Sequence, residues 1–341
     1  MRYVKWTDKL IFLVNSVLAF LLLLSYTLPY ISPSTFPLLS VLSLAVPLLL
    51  VINICFLLYW GARLKKQMLL SLLILLLGLS HLKSLYKFGG TTANIENDPL
   101  TVMSYNVHQF DRFDWIKDNE EVGKDISDFV KEQNPMIFCA QEFYYSPDID
   151  FSHFKYKYID FNNNTNEVGQ AIYSQIPIIK KGTFKFDQTA NNAVFVDVIH
   201  EKDTLRVYNV HFQSHRINPD AKELQKEATQ KLMKRIGGSF VKQQAQMELV
   251  LEHIKKSPYR NIVAGDFNNT AYSYIYEKLR EQDLLDAFKE SGSGFGKTYN
   301  FRFFPTRIDF VLADKSFQVD FFKNYDLLLS DHYPIMTGLE M

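Results

Sequence analysis

The chain divides by its pattern of apolar and polar positions. Leu10 to Ile31 runs without a charge, and so does Phe36 to Trp60. Each is long enough to cross a hydrocarbon core, which takes about 20 helical residues. Lipid offers no partner to an open backbone group, so such runs predict spanning helices. A third run, Gln67 to Leu82, is shorter. At ~1.5 Å per residue it falls short of a ~30 Å core. Lys66 and Lys83 flank it and can snorkel outward, so it is read as a third span. An interfacial or buried helix is the competing reading of that run. A cleaved signal peptide is the competing reading of the first, but its apolar core is too long and no small-residue cleavage pattern follows it.

Beyond Gly89-Gly90 and the polar stretch to Asp98, the pattern changes. Short apolar runs now alternate with amphipathic segments. Strands are predicted at Leu100–Val107, Pro135–Gln141, Gln170–Ser174, Ala193–Val198, Leu205–Val210, Asn261–Ala264, Arg307–Ala313 and a terminal run near Ile335. Helices are predicted at Asn119–Glu132, Asp220–Arg235, Ser239–Lys256 and Ser273–Glu281, with Gly237-Gly238 separating the middle two. Strands interleaved with helices predict a layered α/β sandwich. The expected division is an all-α membrane anchor over 1–88, a linker over 89–98 and one α/β domain over 99–341.

Charge sharpens that division. The 341 residues carry 37 Lys and Arg against 37 Asp and Glu, a formal net charge of zero. Up to Lys87 there are eight Lys or Arg and one acid, Asp8, so that part carries +7 and the remainder −7. The zero is a cancellation. Arg2, Lys5 and Lys9 precede the first run, and Arg63, Lys65 and Lys66 follow the second, while Ser32 to Thr35 is uncharged. The positive-inside rule then places the N-terminus in the cytoplasm and, with three spans, everything after Leu82 outside it. Two cysteines exclude a disulfide framework and a Cys-rich zinc site.

Polar residues gather at the predicted strand ends, where an α/β scaffold projects groups into a shared site. Ser104-Tyr105-Asn106 closes the first strand and Gln141-Glu142 the second. Asn209-Val210-His211 closes another, and Gly265-Asp266-Phe267-Asn268 follows NIVA. Arg307-Ile308-Asp309 opens a strand, and Ser330-Asp331-His332 precedes the last. Singly these have ordinary readings: a turn cap for Asn106, a helix cap for Asp266, a surface histidine for His332. Together they form an oxygen-rich set suited to a hard divalent cation, with histidines for proton chemistry. They do not suit structural zinc.

Six ordered blocks, SYNV, QE, YNVHF, GDFN, RIDF and SDHYP, resemble the endonuclease/exonuclease/phosphatase superfamily, the fold of deoxyribonuclease I and the abasic-site endonucleases. GQAIYSQIPI and GSGFGKTYNFRFFPTRIDF are similar to two further family segments, and the likeness runs from about Leu100 to Leu339. It implies a four-layered α/β sandwich and a Mg²⁺ site, with Mn²⁺ as a substitute. It also implies roles. Glu142, Asn106 and Asp331 match metal ligands. Asp266 matches the residue that orients or deprotonates the attacking water, and Asn268 a donor to the phosphate. His332 matches the catalytic histidine, Asp309 the acid that holds its ring, and His211 a second histidine of the deoxyribonuclease I branch. Asn209 and Arg307 are added as substrate-side candidates. His108 has no matched role and is expected to be a surface histidine. The family's Pro after GDFN is missing, and Ser214–Lys242 exceeds the minimal core, its Lys222, Lys226, Lys231, Lys234 and Arg235 reading as a solvated face.

The resemblance leaves the substrate open. A phosphodiesterase or nuclease leads, a lipid or small-molecule phosphatase is the alternative, and a non-catalytic membrane interaction protein comes last. The −7 domain gives little support for tight nucleic-acid binding, which relies on Lys and Arg at phosphates. The expected partners are a phosphoester and the lipid bilayer, with no protein partner evident.

Overall fold

The alternation that starts at Leu100 becomes twelve strands among the described residues, paired into two six-stranded sheets. The computed structural model describes residues 6–90, 99–117, 119–146, 148–161, 167–187, 189–216, 229–301 and 304–341. In order across the first sheet are β11 (Gln318–Asn324), β12 (Ile335–Glu340), β1 (Leu100–Asn106), β2 (Ile137–Tyr144), β4 (Val168–Ser174) and β3 (Tyr156–Phe161). Across the second are β5 (Ile178–Lys185), β6 (Asn192–His200), β7 (Asp203–His211), β8 (Arg260–Asp266), β10 (Asp309–Asp314) and β9 (Leu284–Asp286).

Alternation of side chains along each strand supplies two faces. The inner faces meet in one core, where Val102, Ile137 and Ile172 pack with Val196, Val207, Ile262 and Val311. The outer face of the second sheet is covered by the Thr229–Lys255 helix through Met247, Val250 and Ile254. The Val122–Gln133 helix lays Ile126 and Val130 on the first sheet. Helix, sheet, sheet and helix make the layered α/β sandwich that the pattern predicts, with the four layers that the resemblance implies.

All eight predicted strands form. The four that the pattern missed are β3, β5, β9 and β11, and these are the four edges of the two sheets. An edge strand meets water on one side and carries charge there, as Lys180, Lys181 and Lys185 do on β5, so its apolar run is diluted.

One predicted break is absent. Thr229–Lys255 is a single helix that runs straight through Gly237-Gly238. Residues 217–228, which hold the start of the predicted Asp220–Arg235 helix and Lys222 and Lys226, lie outside the described residues. The two glycines differ in what surrounds them. A Cβ on Gly238 would meet nothing within 4 Å, whereas one on Gly237 would stand 3.2 Å from the Pro37 carbonyl oxygen. Gly237 therefore admits the N-terminal region rather than ending a helix.

That region holds two helices long and apolar enough to cross a membrane, Trp6–Tyr30 and Pro37–Ala62. Inside the bundle Asn15 donates to Ser71 Oγ at 2.8 Å and accepts from the Trp60 indole at 3.1 Å. The third run is not one straight helix. It forms Met68–Leu77 and Leu79–Leu85, bent by 79° at Gly78. The Tyr26 ring fills the place of a Gly78 side chain, and its hydroxyl donates to the Ile74 carbonyl at 3.0 Å, beside the Gly78 N–H that the same carbonyl accepts. Among the described residues two helices are long and apolar enough to span, or three if the bent pair counts as one.

The bundle docks on the α/β domain. The Gln244 side-chain oxygen accepts from Ser32 Oγ at 2.8 Å and from the Ser34 backbone N–H at 2.9 Å. Thr270 Oγ1 donates to the Ser43 carbonyl at 3.2 Å, and the Tyr272 hydroxyl to the His81 carbonyl at 3.2 Å.

A second polar link joins the two sheets. Gln141 Nε2 on β2 donates to Asn209 Oδ1 on β7 at 2.7 Å. Asn209 Nδ2 donates back to the carbonyls of Ala140 at 2.8 Å and Ala171 at 3.0 Å. Asn209 is fully buried.

Two stability measurements test these links. Gly237→Leu should overpack the docking face and cost about 1–3 kcal/mol, while Gly238→Ala should gain about 0.5–1 kcal/mol from helix propensity. Equal shifts of the thermal midpoint in detergent would remove Gly237 from the contact. Asn209→Leu strands two buried carbonyls and should cost about 1–3 kcal/mol for each group left unpaired in urea unfolding; a change below the lower bound would mean that the sheets need no polar link.

Candidate active site

Strand pairing sets the site residues side by side. In the second sheet His211 of β7 lies opposite Asp266 of β8, and Asp266 opposite Asp309 of β10. In the first sheet Asn106 of β1 lies opposite Gln141 of β2. Between Ala140 and Phe143 the β2–β4 register shifts, so Gln141 and Glu142 form a bulge. Glu142 takes a left-handed φ of 50°, and the bulge turns its carboxylate out of the ladder. Gly265 approaches the Val210 backbone so closely, at a φ of 139°, that no side chain fits.

The cleft between the sheet ends has a volume of about 200 Å³. Glu142, Asp266, Asn268, Asp331 and His332 line it. Asn106 Nδ2 reaches Glu142 Oε1 at 3.4 Å and Asp266 Oδ2 at 3.2 Å. His211 Nε2 stands 3.6 Å from Asp266 Oδ2 and 3.8 Å from Glu142 Oε1. His332 gives its Nδ1 to Asp309 at 2.9 Å and points Nε2 toward Asp266 Oδ2 at 3.7 Å. Eight predicted residues thus converge: Asn106, Glu142, His211, Asp266, Asn268, Asp309, Asp331 and His332.

Burial and charge compete here. Burial alone pushes the His332 imidazole down, but Asp309, Asp266 and the hydrogen bond to Asp309 outweigh it and hold the ring well above its ordinary value. Burial pushes the Asp266 carboxyl up, against the pull of His332. His211 is lowered by burial, with Glu142 opposing. Asn268 uses both amide hydrogens locally, on the Phe212 carbonyl and on Asp266 Oδ2 at 3.0 Å each, and its backbone N–H holds Asp266 Oδ1 at 2.7 Å. It clamps the Asp266 carboxylate.

Among the described residues one group of acids and histidine has ligand atoms within 4.8 Å of one another: Asp266, Asp309 and His332. This differs from the set Asn106, Glu142 and Asp331 that the sequence resemblance gave to a metal. His332 Nδ1 is already committed to Asp309. Glu142 and Asp331 keep open carboxylates, with no Lys or Arg paired to either among the described residues.

Three expectations change. Arg307 does not reach the cleft. Its guanidinium is buried against Asp286, with Nη1 2.8 Å from Oδ2, and lies over the Phe288 and Phe310 rings. Asn209 has no substrate-facing atom, because the link between the sheets uses it fully. His108 is not a free surface histidine: it stacks on Trp115 with ring centroids 3.8 Å apart and sets Nδ1 3.4 Å from Asp331 Oδ1. Four successive left-handed residues, His108 to Asp111, shape that turn. The sequence gave no sign of His215, Arg216 or Leu44, which line the cleft too, as does Tyr299 of the resembling segment GSGFGKTYNFRFFPTRIDF. Arg216 is the one Lys or Arg among the described lining residues.

A family model described as the Endonuclease/Exonuclease/phosphatase family matches residues 103–332, and one described as a domain of unknown function (DUF8431) matches residues 8–85. The fold is similar to the endonuclease/exonuclease/phosphatase from Bacteroides vulgatus, with a TM-score of 0.56, 18% identity, and coverage of 72% of this chain and 100% of that one. A family protein from Leptotrichia buccalis gives 0.51 and 16%, covering 71% of this chain and all of that one. TDP2 of D. rerio, complexed with a single strand DNA product, gives 0.52 and 14%, covering 72% of this chain and all of that one. No curated protein matches the chain in sequence. The model spans most of the α/β domain and both sheets agree with it, so the chain belongs to the Endonuclease/Exonuclease/phosphatase family of phosphoester hydrolases.

Proposed function

We propose that the chain is a membrane-anchored, Mg²⁺-dependent phosphodiesterase that hydrolyses its substrate by direct attack of water on phosphorus. The observation that carries this is the convergence of eight polar residues from two sheets on one cleft. The carboxylates of Glu142 and Asp331 and the side-chain oxygen of Asn106 suit a hard cation, and neither carboxylate has a Lys or Arg paired to it among the described residues. Bound there, Mg²⁺ supplies positive charge against the phosphoryl oxygens and the leaving oxygen.

The chain's own groups do the rest. Asp266, clamped by Asn268 and Asn106, accepts a proton from the water and fixes its direction. The water oxygen forms a bond to phosphorus, and the bond from phosphorus to the leaving oxygen breaks. His332, kept protonated by Asp309, donates from Nε2 to a phosphoryl oxygen, where negative charge grows. His211 stands close enough to serve as a second donor or to protonate the leaving oxygen.

The anchor reading rests on the two long apolar helices, with residues 1–88 as anchor, 89–98 as linker and 99–341 as catalytic domain. The docked face includes Ser32, Ser34 and His81, while Arg63 pairs with Asp8 at 2.6 Å at the other end of the bundle. The positive-inside rule then sets the catalytic domain outside the cytoplasm.

His332→Ala and Asp266→Asn should each lower kcat on an aryl phosphodiester by about 10²–10⁴-fold with thermal midpoints retained. EDTA should abolish turnover and Mg²⁺ restore it; metal-independent turnover would defeat the reading. Glu142→Gln in EDTA should gain about 0.5–1 kcal/mol from relief of like charge. Wild type should gain stability on adding Mg²⁺ and the variant should not. Equal metal responses would take Glu142 out of the ligand set.

A further inference from the structure

The cleft is not made by the catalytic domain alone. Leu44, from the second apolar run, forms part of its wall. It is held there by its neighbour, because Thr270 Oγ1 donates to the Ser43 carbonyl while Thr270 itself lines the cleft. Two residues on, Val46–Ala62 continues as a 17-residue helix. That helix is about 25 Å long, short of a ~30 Å hydrocarbon core. The residues just before it, Ser43 to Ala45, complete a span, and Pro37 stands beside the catalytic domain at Gly237. On the anchor reading, the mouth of the site then comes near the headgroups.

Aromatic residues join the bundle to the catalytic domain. Tyr86 packs edge-on against Phe88 and against Phe295 of the catalytic domain, with centroids 4.8 and 4.9 Å away. Phe88, Phe295, Tyr30 and Phe36 are all exposed. Of these, Tyr30 has the amphipathic ring that collects at the boundary between lipid and water.

Elsewhere the wall is polar. His215 is 94% buried on its Ser239 contact, yet its Nε2 has no partner among the described residues. Arg216 follows it, its carbonyl held by Arg235 Nη1 at 3.0 Å. The wall thus combines an apolar side chain from the bundle with a guanidinium and the catalytic carboxylates.

We propose that the substrate is a phospholipid of the bilayer that holds the helices. Its apolar end lies along Leu44, and its headgroup meets Arg216. This rests on the phosphodiesterase reading above and names the substrate of that same site. The hydrolysis is the one already written: water oxygen bonds to phosphorus, the ester bond to one alcohol breaks, and that alcohol leaves with a proton. A nucleic acid is the less favoured occupant. It would have to lie across an acidic domain with one described basic side chain in the cleft.

The test uses the full chain reconstituted with Mg²⁺ in phosphatidylcholine and phosphatidylglycerol vesicles. Three substrates are compared: a soluble aryl phosphodiester, the vesicle phospholipids, and single-stranded DNA. The expected result is turnover of the aryl ester and the phospholipid, with DNA cleaved far more slowly. Leu44→Asp should lower the ratio of lipid to aryl-ester turnover by about ten-fold, and Leu44→Met should restore most of it. Arg216→Ala should raise KM for the lipid more than it lowers kcat. Aryl-ester turnover without lipid turnover, DNA as the better substrate, or an unchanged ratio in Leu44→Asp would each overturn the proposal and leave the phosphodiesterase intact. Turnover of none of the three would overturn both.

Discussion

Everything in the cleft depends on two sheets holding one fixed offset. Apolar packing between them is non-directional and tolerates sliding. The Gln141–Asn209 hydrogen bond and the two carbonyls that Asn209 satisfies do not. A slip of one residue would leave those buried groups unpaired. It would also carry Glu142 and Asn106 away from Asp266 and His211. The link lies directly beneath the carboxylates, so the same residues that specify sheet alignment specify the distances within the site.

Above that link the site is built against stability. Glu142 and Asn268 hold left-handed backbone conformations that ordinary side chains avoid. Carboxylates crowd together, and a buried histidine is kept charged by its neighbours. Such features persist only where the surrounding framework over-determines them. Here the framework is the pair of ladders that set His211, Asp266 and Asp309 abreast, and the β2 bulge that redirects Glu142.

Most of this was legible in the chain because strand ends are local. SYN, QE, NVH, GDFN and SDH each place a polar residue where an apolar run stops, and pairing then brings them together. The four edge strands were not legible, since water on one side removes the apolar periodicity that announces a strand. Gly237-Gly238 was misread as a break because a glycine pair looks the same in sequence whether it ends a helix or admits a neighbour. Arg307 was misassigned because Asp286, its partner, lies 21 residues away in another strand. Leu44 was invisible among the leucines of its run; only docking distinguishes it.

That docking has a thermodynamic character of its own. The face around Gln244, Gly237 and Thr270 offers a few hydrogen bonds and one close backbone approach, and ring contacts at Tyr272 and Tyr86 add to the docking. The partners here are one chain, joined between Lys87 and Leu100. A tether of that length keeps the two faces at millimolar local concentration. Contacts that would fail between separate proteins then suffice to keep them engaged. The wall that Leu44 contributes is in effect a ligand bound by its own covalent leash, present at a strength set by chain length as much as by contact.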